Sequence, residues 1–103
     1  MSILIVKDYG ISLQYRKGLV VISKKGTILR KVPLMSLEAI YILTGGVMIS
    51  SKLARMAART GVDVIFFDHK GTPLARLDPP YHTRTVLTRR MQYEAYNLSL
   101  IHI

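Results

Sequence analysis

The sequence predicts a β-rich α+β fold: an N-terminal antiparallel β-meander, sandwich-like, carrying one short helix and followed by the beginning of a truncated helical segment. Three observations lead to it. Gly10, Gly18 and Gly26 fall eight residues apart, each closing a charged cluster ("KDYG", "RKG", "KKG") after a run rich in Ile, Leu and Val, the pattern of short strands joined by tight turns. The apolar period then lengthens from two to about 3.6 in "SKLARMAARTG" and shortens again in "VDVIFF". Half the residues are apolar and 20% are charged, a globular balance rather than a disordered one.

Taken in order, residues 3 to 34 read as a four-stranded antiparallel meander. Ile11, Leu13 and Tyr15 alternate with Ser12, Gln14 and Arg16, as a strand with one buried face requires. "LVVISKKG" and "TILRKVPL" alternate less strictly, and Pro33 marks a strand end or an edge. Arg16, Lys24, Arg30 and Lys31 take outward positions. "AIYIL" is a further strand, followed by Gly45-Gly46. A helix then starts at Ser50 or Ser51 as N-cap and stops at Gly61. At 100° per residue Lys52, Arg55 and Arg59 lie within an arc of roughly 60°, and Leu53, Ala57 and Thr60 lie on another, so one face is basic and one buried. "VDVIFF" is apolar on both faces, which suits a central strand, and strand-helix-strand implies a right-handed crossover. "GTPLARLDPP" is a last short strand stopped by Pro79-Pro80. "YHTRTVLTRRMQYEAYN" has helical character and no partner to pack on. The expected division is a β-rich domain over 3–80, then a linker and truncated helical start over 81–103.

Length and composition bound the function. At 103 residues the chain is one small domain. No window holds the roughly 18 consecutive apolar residues of a membrane span, and "MSILIVKDYG" places its basic residue after the apolar run, the wrong order for a signal peptide. A soluble, cytoplasmic protein without a membrane partner is expected. There is no cysteine, so any zinc site would have to use His69, His82, His102 and carboxylates, and structural zinc is not expected.

Charge is the strongest compositional signal. Fifteen Lys and Arg against six Asp and Glu give a formal +9 and a pI near 10.2. Residues 1–31 alone hold Lys7, Arg16, Lys17, Lys24, Lys25, Arg30 and Lys31 against Asp8. Such a field attracts polyanions, for a soluble chain above all nucleic acid, while a solubilising surface is the plainer alternative. Arg16, Lys17, Arg30, Lys31, Lys52, Arg55 and Arg59 are the residues free to serve it.

No complete active site is legible. "TGGVMISSK" lacks the glycine that precedes the lysine of a phosphate loop. Asp63 and Asp68 lie about 17 Å apart along one extended strand and cannot share an ion. "DHKG" places Asp68 first and Gly71 fourth in a type I turn, which accounts for Asp68-His69 without a metal. No serine, histidine and acid constellation suggests nucleophilic catalysis. No catalytic residue, no metal ligand and no cofactor are expected in the chain.

The succession "LIVKDYGISL" and "GLVVISKKGTILRKVPLMSLEAIYILTGGVMISSKLARMAARTGVDVIFFDHKGTPLARLDPP" resembles the N-terminal domain of the CRISPR-associated integrase, the metal-dependent endonuclease of the spacer-acquisition complex. The likeness runs from residue 3 to about 97. It rests on the first strand, a "PL..LE.I" segment, a small-residue and serine entry into a short helix, a "GVDVIFFDHKG" strand and turn, and a closing "G.PL" strand, in register. The resemblance implies an N-terminal β-rich domain joined by a linker to an all-helical catalytic domain. In that family the glutamate, histidine and second acid that hold Mg or Mn lie in the helical domain, at whose start this chain ends. A truncated reading frame is therefore expected, "SLIHI" does not continue the family's linker helix, and His102 is not a family ligand. The resemblance also implies DNA as partner (protospacer duplex and repeat), a homodimer formed through this domain, and a small companion adaptation subunit. An aromatic at the first "YG", here Tyr9, wedges against a duplex end in such proteins, and a basic helix residue, here Arg55, approaches the backbone. Two other readings stay open: a stand-alone basic β-domain that binds RNA or DNA without catalysis, and a structural dimerisation module.

Overall fold

Two lysine-glycine pairs set the geometry of the first sheet. Lys17 and Lys25 adopt φ of 50° and 51°, and Gly18 and Gly26 follow at 83° and 80°. Two successive residues in the left-handed region make a two-residue hairpin of type I′, whose twist matches that of the flanking strands. In the computed structural model, which describes residues 1–77 and 99–103, these turns join β2 (Ile11–Arg16) to β3 (Leu19–Lys24) and β3 to β4 (Thr27–Pro33). β1 (Ser2–Val6) precedes them. After β4 come a single 3-10 turn at Leu34–Ser36, β5 (Leu37–Ile42), β6 (Met48–Ile49), α1 (Ser51–Thr60), β7 (Asp63–Phe67), β8 (Pro73–Leu77) and β9 (Ser99–His102).

The strands form two sheets, ordered β8-β7-β5-β1-β9 and β4-β3-β2-β6. The antiparallel meander is thus three strands long rather than four, because β1 leaves it and pairs in parallel with β5. The reason is legible in hindsight. Ser2–Val6 is uncharged, with Leu4 and Val6 fully buried and Ile3 7% exposed, and a run apolar on both faces belongs inside a parallel sheet. β7 is likewise interior, parallel to β5 and antiparallel to β8, as "VDVIFF" predicted. The helical start expected beyond Pro80 falls on residues 78–98, outside the described residues. The five residues after it form a strand end and not a helix: β9 runs parallel to β1, Ser2 opposite Ser99 through Ile5 opposite His102.

One core joins the two sheets and the helix. Leu4 and Val6 of β1, Ile11 and Leu13 of β2, Val20 and Ile22 of β3, Ile40 and Ile42 of β5 and Val64 of β7 gather with Leu53 and Ala57 of α1. At such positions truncation to alanine costs about 2–5 kcal/mol for a leucine. The helix ends are closed as the sequence indicated. The Ser50 side chain accepts a hydrogen bond from the Leu53 N–H at 3.1 Å, and Gly61, left-handed at φ 76°, donates its N–H to Ala57 O.

Asp63 is 8% exposed at the start of β7, and Arg76 on β8 reaches across to it, donating from NH2 at 2.7 Å and from Nε at 3.1 Å to the same oxygen. Nearby, Tyr41 meets Phe67 edge to face with centroids 5.1 Å apart. Burial, and then the negative charges of Asp63 and Glu38, raise the Tyr41 phenol above its ordinary 10.0, while Arg76 opposes them.

Removing the guanidinium leaves the charge of Asp63 with one partner fewer, so Arg76→Ala should lower stability by about 1–3 kcal/mol, measured by urea denaturation at neutral pH. Tyr41 gives a pH test. Its folded pKa lies above its unfolded one, so the neutral phenol's contribution is complete below pH 10.0 and falls as pH rises from there through the folded value. Denaturation midpoints followed into that range should decline less steeply in Tyr41→Phe than in the unaltered chain.

Candidate nucleic-acid interface

Basic side chains collect along α1 because its apolar and charged residues segregate by helical period. Leu53 and Ala57 are buried, while Lys52, Arg55 and Arg59 are exposed on the other side. With Ser51 and Met56 these three line an open depression of about 250 Å³. The first turn holds no acidic residue. Lys52 Nζ lies 5.9 Å from the centroid of the Tyr15 ring on β2, close enough for a cation–π attraction worth about 0.5–1 kcal/mol at an exposed site. Ser50 N–H donates to Leu13 O at 3.0 Å, fixing the start of the helix against the same strand.

Tyr9 stands apart from this ridge. It lies in the connection between β1 and β2 and is 76% exposed, yet its ring is held in place. A Cβ added at Gly46 would overlap three atoms of the ring, so the aromatic face lies directly on the Gly46 backbone. The neighbouring Gly10 N–H donates to Gly46 O at 2.8 Å, and Lys24 Cε sits 3.9 Å from where a Gly10 Cβ would be. Tyr9, Gly10, Gly46 and Lys24 thus form one exposed corner with a flat aromatic and a cation. Gly46 and Ser51 are five residues apart, so this corner and the start of α1 are separated by at most about 18 Å.

The remaining basic residues spread over the sheet of β2, β3 and β4. Arg16 and Lys17 are exposed at the first hairpin, at the opposite end of β2 from Tyr9. Arg30 and Lys31 are exposed on the edge strand β4. Being consecutive they point to opposite faces: Lys31 pairs with Val21, and Arg30 with Ile22 of the core-facing row. The structure therefore brings together Lys52, Arg55 and Arg59, sets Tyr9 at one end of β2, and disperses Arg16, Lys17, Arg30 and Lys31. Sequence reasoning placed Lys24 on an outward position without linking it to Tyr9, and gave Gly46 no part. Both emerge only when Gly10 and Gly46, 36 positions apart, are seen to be bonded.

Asp68 and His69 answer as a turn. Asp68 Oδ1 accepts from the Lys70 N–H at 2.9 Å and the Thr72 N–H at 2.8 Å, and Gly71 N–H donates to Asp68 O at 3.0 Å. Among the described residues no three His, Asp or Glu side chains gather as metal ligands would, and no helix is long and apolar enough to cross a membrane.

A family model described as CRISPR associated protein Cas1 matches residues 4–100. A CRISPR-associated endonuclease Cas1 of Pyrobaculum aerophilum is 53% identical over 92 residues, covering 89% of this chain and 30% of its own length. The chain thus spans under a third of the curated relative it matches. Among solved structures, a partial Cas6-RT-Cas1–Cas2 complex superposes with a TM-score of 0.64 at 16% identity, over 73% of this chain and 23% of that one. A TtCas1-DNA complex superposes with a TM-score of 0.62 at 14% identity, over 94% of this chain and 32% of that one. At these identities the structural likeness establishes the fold.

The perch of Tyr9 can be tested directly. In Gly46→Ala the added methyl group displaces the ring, which is the free end of an exposed side chain, so the thermal midpoint should hardly move. The ring proton shifts of Tyr9 in the NMR spectrum should change, and those of Tyr15 and Tyr41 should not.

Proposed function

The chain belongs to the CRISPR-associated Cas1 family, and from that premise we propose that it is the DNA-contacting, pairing part of an adaptation integrase. In this reading residues 3–80 are the body of the N-terminal domain, β9 completes its sheet beside β1, and the chemistry belongs to a separate helical domain. The whole protein inserts spacers by attack of a DNA 3′-hydroxyl on a repeat phosphodiester, in the cytoplasm, as a homodimer with a small companion subunit of the Cas2 kind. The divalent ion of that reaction, Mg or Mn, finds no fitting donor set among the described residues, so no step through it is assigned to them. Their part is to bind and orient.

The observation that carries the reading is the ridge of Lys52, Arg55 and Arg59 on a chain of formal charge +9. Three cations on one helix face, with no acidic residue in its first turn to offset them, suit a run of phosphates, which binds by counterion release and without sequence preference. Arg16, Lys17, Arg30 and Lys31 enlarge the positive field and steer encounter rather than form one contact surface. Tyr9, held flat and exposed, suits stacking on a terminal base pair, where an aromatic platform is worth about 1–3 kcal/mol per base. This aromatic corner distinguishes the reading from a purely structural module, which has no use for an apolar ring so exposed.

The test is duplex binding across a salt series. With about four phosphates engaged, log K should fall against log salt with a slope of about −3 to −4. Arg55→Glu and Arg59→Glu should each flatten that slope by about one. Tyr9→Ala should weaken binding to short duplexes with free ends about 5- to 150-fold and leave binding to a closed circle unchanged. Salt-independent affinity, or equal loss on linear and circular DNA, would refute the assignment.

A further inference from the structure

β1 has the composition of an interior strand and none of the devices that protect an edge. Its five residues carry no charge and no proline, and the register irregularity at Ser2/Ile3 lies on the β5 side, leaving the opposite side regular. Such a side is a template for another strand unless something covers it. β9 is that cover. Ser99 N–H donates to Met1 O at 3.0 Å, Ile103 N–H to Ile5 O at 2.9 Å, and Lys7 N–H to Ile103 O at 2.9 Å. The Ser2 and Ser99 hydroxyls lie 2.7 Å apart. Ile101 and Ile103 pack against the core, while Leu100 before them, 53% exposed, and His102 between them face outward. Alternate apolar anchors with main-chain bonds are the recognition pattern of a strand added to a sheet edge.

Three features make this contact exchangeable. It is short, and contacts with few buried anchors open at low free energy. It is joined to β8 through residues 78–98, enough chain to reach up to about 70 Å when extended. The partner strand is also part of the same sequence, so every copy that opens presents both a vacant edge and a matching segment. We propose that the outer edge of β1 is a strand-accepting site of fixed parallel register, filled here by residues 99–103 and open to the same residues of a second copy. Two chains then join reciprocally, each lending its five residues to the other. This rests on the pairing part of the proposed function, uses no basic side chain, and stands or falls separately from DNA binding.

The absence of cysteine makes the test clean. A Ser2→Cys, Ser99→Cys double variant should close a disulfide within one chain at high dilution, since adjacent strands hold their Cα atoms within bonding range. Chains bearing Ser2→Cys alone, mixed with chains bearing Ser99→Cys alone, should form a covalent heterodimer whose yield rises with concentration. Ser23→Cys on the other sheet, mixed with Ser99→Cys, should stay at background. Failure of the double variant to close would overturn the register. Closure there, with no heterodimer above background in the mixture, would overturn the exchange. Should a variant misfold by circular dichroism, the unaltered chain decides instead. A dye-labelled peptide of residues 97–103 should bind it saturably, and the same peptide with Ile101→Asp should not; equal binding of both, or of neither, rejects the site.

Discussion

The parallel pairing of β1 with β5 is the constraint on which the rest depends. It takes the first strand away from the hairpins that follow and places it at the heart of the other sheet, so the chain must cross from sheet to sheet within Lys7–Gly10. That crossing lifts Tyr9 out of the core and lays it on Gly46. It also lets Leu4 and Val6 face Ile11 and Leu13 across one core, to which α1 adds Leu53 and Ala57. With its apolar side committed there, the helix turns Lys52, Arg55 and Arg59 to solvent together with Ser51. The basic ridge follows from how the two sheets are joined, and the depression beside it needs no further device.

What could be read from the sequence was what is decided locally. The helix limits are cap chemistry, a Ser50 oxygen for an orphan N–H and a left-handed Gly61, and both stand in the text of the chain. The turn at Asp68 is likewise settled within five residues. The three cations on α1 follow from helical period alone. What stayed hidden depends on pairing between distant segments. Period two states that Ile3–Val6 is a strand and not which sheet it enters. The Arg76–Asp63 bond requires the β7–β8 register, which a shift at Phe66/Phe67 alters within the ladder itself. Lys24 and Tyr9 look unrelated until Gly10 is bonded to Gly46.

The basic residues also divide by how firmly they are held. Lys52 is anchored over Tyr15 on a capped helix, so a phosphate meeting it encounters a charge whose freedom is already reduced. Lys17 and Lys25 sit at hairpin tips in a backbone conformation that a side chain adopts at a cost of roughly 1 kcal/mol, and both are exposed there. The two kinds of cation differ in how far their charge is fixed in space, a distinction that net charge alone does not reveal.

The direction of β9 has a mechanical consequence. β1 and β9 run the same way, and β1 lies near the N-terminal end of the chain while β9 closes the described residues. Tension that draws Met1 and Ile103 apart therefore slides the two strands along each other and loads all their hydrogen bonds at once, instead of peeling them open singly. A force transmitted through this stretch therefore meets a contact loaded in shear, although the same contact is only a few residues long. The strand is secure against pull and loose against exchange, and the two properties share one set of bonds.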